Sequence, residues 1–334
     1  MNMISNPYWD KDFFQFFALL FSRLGKWMQG DTSLHLASDE IQLLVLMAVA
    51  ISSALVGTFL VLRRMTMLAN SLSHTILLGV VCAYLLFAQT ISAEGFSLPI
   101  LLVASLITGL LTTLLTQLLT HLMRVQEDAS IGLVFNTLFA LGIVLVTLFT
   151  RNLHLGVEAI MGNVDALHVN DLNLVFYVTL IALSAVVLFF KEFTLVAFDS
   201  THAKTLGISS HMYTYLLMVL VSATSIGAFR AVGVLLFLAF LVGPVLTARL
   251  FTDRLPKLIL LAAGFGTLAT LVAVALSRHF LSYYQIPLST SGLVVVVIGT
   301  FYFLSLFLSP KRGLLISWIR KSRLKKESNE IVEA

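Results

Sequence analysis

Ile41-Gln-Leu-Leu-Val-Leu-Met-Ala-Val-Ala-Ile-Ser-Ser-Ala-Leu-Val-Gly-Thr-Phe-Leu-Val-Leu-Arg63-Arg64 runs for 22 residues without a charge and stops on two arginines. About 20 such residues, coiled as a helix that satisfies its own backbone polar groups, cross a hydrocarbon core about 30 Å thick. The pattern recurs along the chain. Nine hydrophobic segments can be read, at about 41–63, 68–88, 99–122, 130–150, 171–190, 212–228, 232–250, 257–277 and 287–309. The expected fold is therefore all-α, a polytopic membrane helix bundle with about nine transmembrane helices.

Composition supports the same class. Of 334 residues, 58% are hydrophobic and 11% charged, against about a quarter charged in an ordinary soluble domain. The mean hydropathy is +0.97. Cys82 is the only cysteine, so one chain has neither a disulfide framework nor a cysteine-based metal cluster, and any metal must meet oxygen and nitrogen. The N-terminal stretch lacks a signal-peptide pattern because Asp10, Lys11 and Asp12 interrupt it. Phe13 to Met28 is aromatic and too short to span comfortably, so it reads as an interfacial helix, with a tenth span as the alternative.

Basic residues set the expected orientation. If the first span enters from outside, 15 of the 21 lysines and arginines fall on the inner side, among them Arg63, Arg64, Lys204 and the cluster from Lys311 to Lys326; the other 6 fall outside. Cytoplasmic loops retain such residues, which predicts N-terminus out and C-terminus in. The domains are then an N-terminal extension with its interfacial helix (1–40), a membrane domain (41–309) and a basic cytoplasmic tail (310–334). That tail is better explained by anionic lipid than by nucleic acid.

Just past Arg64, Asn70 and His74 lie four residues apart and so on one helix face, with Ser71 and Ser73 widening the polar stripe. Two readings fit: an amide oxygen and an imidazole nitrogen offered to one ion, or hydrogen bonds that join neighbouring helices. On the outer side His154 and Glu158 have i, i+4 spacing, and Asp165 and His168 follow at i, i+3. Either pair suits a divalent ion if helical, while a solvated polar loop is the plainer reading. His279, near the outer end of the eighth segment, admits the same two readings.

Between two spans, Phe198-Asp-Ser-Thr-His-Ala-Lys-Thr-Leu-Gly-Ile-Ser-Ser210 holds the parts of a short capped helix. Asp199 is the cap, Ala203 and Leu206 form an apolar side, and Gly207 is the stop. Such a helix is a docking shape or an ordinary connector. Gly243 and Pro244 interrupt the seventh segment, where a proline frees a backbone carbonyl and bends the helix, as a hinge or as a static kink. No G-x-x-x-x-G-K-[ST] phosphate loop, H-E-x-x-H helix or G-x-S-x-G elbow occurs, which argues against an ATPase or a membrane enzyme.

Three stretches together resemble the permeases of ABC importers for zinc, manganese and iron. Gly57-Thr-Phe-Leu-Val-Leu-Arg-Arg followed by Asn70-Ser-Leu-Ser-His-Thr-Ile-Leu-Leu-Gly79 looks like the family's G-x-F-x-V-L-R-R and D-x-x-S-H-x-x-L-x-G. Glu127-Asp-Ala-Ser-Ile-Gly-Leu-Val-Phe135 is similar to its E-D-x-x-I-G-x-x-F, and Phe198 to Ile208 to its F-D-x-x-x-A-x-x-x-G-I, with Val232-Gly-Val-Leu-Leu-Phe and Pro244 continuing the likeness.

The resemblance implies a two-subunit pathway in a bacterial cytoplasmic (inner) membrane. Two cytosolic ATPase subunits drive it and an extracytoplasmic metal-binding protein feeds it. It makes His74 and Asn70 the pathway metal site, and Phe198, Asp199, Ala203, Leu206 and Gly207 the ATPase-coupling segment. The chain itself is then a transport subunit with no permanently bound cofactor, the divalent ion being its substrate. Asn70 departs from the family's aspartate and offers a dipole where a full charge is usual, which predicts a second, non-identical permease that retains the acid. The rivals are a secondary metal-ion transporter, which should need intramembrane acids for coupling, and an ABC permease for a chelate such as siderophore or cobalamin.

Overall fold

The computed structural model describes residues 6–9, 11–28, 36–87, 98–149, 164–309 and 313. Among these there are helices and no strand. The helices are α1 (Phe13–Met28), α2 (Ser38–Leu62), α3 (Thr66–Phe87), α4 (Leu98–Leu122), α5 (Glu127–Phe149), α6 (Val169–Leu188), α7 (Phe190–Phe198), α8 (Ser200–Thr205), α9 (Ser210–Val232), α10 (Val234–Phe251), α11 (Leu255–Tyr284) and α12 (Thr290–Leu308). Seven of them, α2, α5, α6 and α9 to α12, are long and apolar enough over their described residues to cross a membrane. The chain is a multi-pass membrane protein. Helices α3 and α4 fall where two further spans are expected.

The quoted run becomes the centre of the bundle. Helix α2 packs against α6, α9, α10 and α11, and Val45, Leu46, Ala50, Ala54, Val56, Phe59 and Leu60 along it are fully buried. Gly57 explains how closely the helices approach. A Cβ there would lie 2.2 Å from the backbone carbonyl oxygen of Leu241 on α10, so only a residue without a side chain fits. Gly233 makes the corner between α9 and α10 alone, at φ 80° and ψ 168°, a region in which side-chain-bearing residues are strained.

Helices α3, α4 and α5 form a second, smaller group, joined to the rest chiefly through α4 and α9. Its own core is Leu78, Val134 and Leu138, with Cys82, Leu115, Leu119 and Leu145 packed around them. The inner face of α4 carries threonines at helical spacing. Thr108, Thr112, Thr113, Thr116 and Thr120 each donate to the carbonyl four residues earlier, at 2.7–3.1 Å. Thr112 also meets Thr75 of α3 at 3.0 Å.

The predicted interfacial helix has the expected bounds and lies against α11. A charged cluster ties it to the bundle. Arg23 of α1 pairs with Glu40 at 2.5 Å, the Tyr8 hydroxyl donates to Glu40 at 2.8 Å, and the Asn6 amide donates to Asp39 at 3.1 Å. Asp39 also forms an ion pair with Arg278 of α11. Burial, and then the bond to Glu40, raise the Tyr8 phenol far above its ordinary range, so it remains a donor.

Candidate functional site

On α3, Asn70 and His74 are both half-buried, at the seam with α5. The His74 ring centre lies 5.3 Å from that of Phe135 and 5.4 Å from that of Phe139, and the two phenylalanines stack on each other at 5.8 Å. One wall of the imidazole is thus aromatic and apolar. Ser71, next to Asn70, is buried and its hydroxyl has no hydrogen-bond partner among the described residues. No group of three or more His, Cys, Asp or Glu that could hold a metal occurs among the described residues. What α3 presents is therefore a sparse donor set of one imidazole, one amide and nearby hydroxyls.

The outer candidates separate. Asp165 accepts hydrogen bonds from Gln42 of α2 at 2.9 Å and Thr290 of α12 at 2.6 Å, and Thr290 in turn lies 3.2 Å from Ser277 of α11. Its carboxylate bridges α2 and the start of α12, and Thr290 carries the contact on to α11. His168 is exposed at the start of α6, where its backbone N–H donates to Asp171 at 3.0 Å. His154 and Glu158 lie outside the described residues. His279 stacks on Tyr283 at 5.8 Å and faces Asp12 at 3.8 Å.

The capped segment folds as its residues suggest. Asp199 accepts from the backbone N–H groups of Thr201 and His202, both at 2.9 Å, and starts α8. Gly207, at φ +78°, ends it, while Ile208 N–H returns to the Ala203 carbonyl at 2.9 Å. Ala203 is wholly buried against the bundle, whereas Phe198 and Leu206 are 64% and 57% exposed. Ala203 and Leu206 therefore do not share one apolar side: α8 is anchored through Ala203, exposes polar residues along its own length, and is flanked by one exposed apolar side chain at each end.

Gly243 and Pro244 lie inside α10, which continues through them as one helix. A Cβ on Gly243 would meet the Ile298 Cγ2 of α12 at 2.3 Å, so the proline sits beside a close helix contact. Three features escape the sequence reading. Helix α7 follows α6 after a break at Phe189, the phenylalanine wall comes from a helix some 60 residues away from His74, and a polar cavity adjoins α8. Of these only the threonine spacing in Thr108-Gly-Leu-Leu-Thr-Thr-Leu-Leu-Thr116, which borders that cavity, left a trace in the sequence.

Residues 40–309 match the ABC 3 transport family. A "probable metal transport system membrane protein" of Chlamydia trachomatis is 43% identical over 314 residues, covering 93% of this chain and 96% of that protein. The manganese transport system membrane protein MntD of Bacillus subtilis is 35% identical over 303 residues, covering 84% of this chain and 95% of the relative. Among solved structures, PsaBC from Streptococcus pneumoniae in complex with Fab superposes with a TM-score of 0.70 at 25% identity, over 86% of this chain and 97% of that one. With a match that spans all the described helices from α2 to α12, this chain belongs to the ABC 3 transport family.

Proposed function

We propose that the chain is the membrane-spanning permease subunit of an ATP-driven importer, moving a divalent transition-metal ion across the bacterial cytoplasmic membrane by alternating access. Nine crossings, N-terminus out and C-terminus in, carry the pathway. Manganese is the first ion to assay, since that is the metal in the name of the Bacillus relative. The observation that carries the reading is the uninterrupted family match across both the polar pair on α3 and the capped helix α8. ATP is hydrolysed in separate cytosolic subunits, and an extracytoplasmic binding protein delivers the ion.

His74 supplies the pathway nitrogen and Asn70 an uncharged oxygen. So few ligands suit a carrier, because an ion held too tightly is not released. A second permease chain, non-identical and retaining the aspartate, completes the coordination. Uptake of radioactive manganese by the reconstituted transporter tests this: His74→Ala should lower it roughly tenfold or more, while Asn70→Asp should tighten binding and slow release. Full uptake without His74 removes that residue from the site.

Phe198 at the end of α7 and Leu206 just past α8 flank the capped helix and form the contact with the ATPase. A Phe198→Glu, Leu206→Glu pair should lose co-purification of the ATPase subunits. Its own thermal unfolding should stay within about 0.5 kcal/mol of the parent, as expected of exposed positions. Retained ATPase with both glutamates in place would rule out α8 as the docking element.

A further inference from the structure

Where α10, α11 and α12 meet, the surface of the bundle holds an open apolar groove of about 140 Å³. Phe251 closes α10 at one end, Phe265 and Leu268 come from α11, and Phe301, Leu304 and Leu308 come from α12. The Phe265 ring centre lies 5.5 Å from that of Phe251 and 6.4 Å from that of Phe301, while Leu268, Leu304 and Leu308 are exposed. At about 1.5 Å of rise per residue, the stretch from Leu308 to Phe301 makes the groove roughly 10 Å long. That is a slot for hydrocarbon chain.

Charge at one end sets this slot apart from ordinary lipid-facing surface. The segment from Arg249 to Lys257 holds three bases, Arg249, Arg254 and Lys257, against one acid, Asp253, and all four are exposed. Asp253 has an interaction of its own, and the segment is net positive even with its charge counted. Arg254 stands at the N-cap of α11, where the helix end adds a partial positive charge. Lys257 leads directly into the groove. Leu261, Gly264 and Leu268 follow it at i+4, i+7 and i+11, which keeps the four residues within one stripe about 60° wide. Along that stripe Leu261 is exposed, and a Cβ on Gly264 would have nothing within 4 Å. The strip from Lys257 to Leu268 is thus open, and its length of roughly 16 Å is about the depth of one leaflet's hydrocarbon.

We propose that this corner binds one acidic phospholipid, with an acyl chain along the groove between α11 and α12 and the phosphate held by Arg254 and Lys257. Bases at the end of a slot between membrane helices select for an anionic headgroup. A zwitterionic lipid offers the same chain, but its ammonium cancels the phosphate charge that a net positive corner attracts. A soluble phosphate ester brings the charge and leaves the groove unfilled. Assignment of the lipid to the inner leaflet rests on the orientation proposed above; the binding itself does not.

The test is native mass spectrometry of the purified full-length chain in detergent, after adding phosphatidylglycerol, phosphatidylcholine with the same acyl chains, or glycerol phosphate. The parent should retain phosphatidylglycerol well above the other two. Arg254→Gln with Lys257→Gln should weaken that retention roughly thirtyfold, about fivefold for each basic residue, whereas Arg254→Lys with Lys257→Arg should keep most of it. Leu268→Trp, a bulkier side chain at an exposed position of the groove, should lower retention of both lipids. Arg124→Gln with Lys191→Gln removes as much charge from exposed positions elsewhere and should change nothing.

Equal retention of the two lipids by the parent, or phosphatidylglycerol retention undiminished by the Arg254, Lys257 pair or by Leu268→Trp, would overturn the proposal. So would glycerol phosphate held as well as the lipid, or a dimer formed at the lipid's expense, which would assign the groove to a second copy. Because the readout is binding by one chain, it is independent of transport. A chain that selects the acidic lipid but carries no metal leaves this inference standing and sinks the transport reading; the converse result does the opposite.

Discussion

Gly57→Val should prevent most of the protein from reaching its folded form, at a cost of about 3 kcal/mol or more. The first carbon of the new side chain would lie 2.2 Å from the Leu241 carbonyl oxygen and 3.1 Å from its carbon. Backbone, unlike the tip of a flexible side chain, cannot rotate away. Relief requires α2 and α10 to separate, and both are lined by residues with no exposure, including Phe59, Leu60, Phe237 and Phe240. Separation would therefore loosen contacts along the whole crossing. Even Gly57→Ala meets the same oxygen and should be measurably destabilised. Gly264→Ala on α11, where the added carbon has nothing within 4 Å, should be neutral or slightly stabilising through better helix propensity, by at most about 1 kcal/mol. Fluorescence-detected size exclusion after a heat step reports all three. A Gly57→Val protein as heat-resistant as the parent would show that α2 and α10 do not meet this closely.

Breaking the Asp39–Arg278 pair should be nearly as damaging, and unequally so for its two members. The Asp39 side chain is completely buried while that of Arg278 is 20% exposed. Removing Arg278 strands an anion out of reach of water, whereas removing Asp39 leaves an arginine whose long stem can carry its charge outward. Arg278→Ala should thus cost about 3–5 kcal/mol and Asp39→Ala somewhat less. Asn6 donates to Asp39 as well, which offsets a little of the first loss. The double replacement should cost clearly less than the two single costs added, since neither charge remains to be stranded. Denaturation in mixed micelles measures the cycle; strict additivity would mean that the pair contributes nothing.

Both sites show where sequence reading succeeds and where it stops. The uncharged run from Ile41 to Leu62 reads directly as a membrane helix, and the observed Ser38–Leu62 adds one polar turn at its start. Phe13–Met28 and the cap at Asp199 are equally local, each set by residues within a few positions of one another. Partnerships across the bundle are not local. Asp165 carries the spacing of a metal ligand relative to His168, yet its carboxylate meets Gln42 and Thr290, both more than 100 positions away. The likeness to metal-importer permeases singled out His74 and the α8 segment, but nothing in a helix-by-helix reading says that Phe135 and Phe139 will wall the imidazole. Arg64, Arg124 and Gln285 adopt left-handed backbone angles, at φ 59°, 55° and 56°, without the glycine that usually announces such a turn. These ends follow from the connections between packed helices, which periodicity does not record.

The threonines of α4 carry a mechanical corollary. A hydroxyl that closes onto its own helix asks nothing of the helix alongside, so a row of them is polar in composition and nearly inert in adhesion. In that row Thr112 also reaches Thr75 of α3, and Thr108 sits so close to Gly79 of α3 that a Cβ there would lie 2.5 Å from its hydroxyl oxygen. What holds the two helices is the close seat at Gly79 and the apolar cluster around Leu78 that takes in Leu115 and Leu119, so a methyl added at Gly79 would wedge them apart.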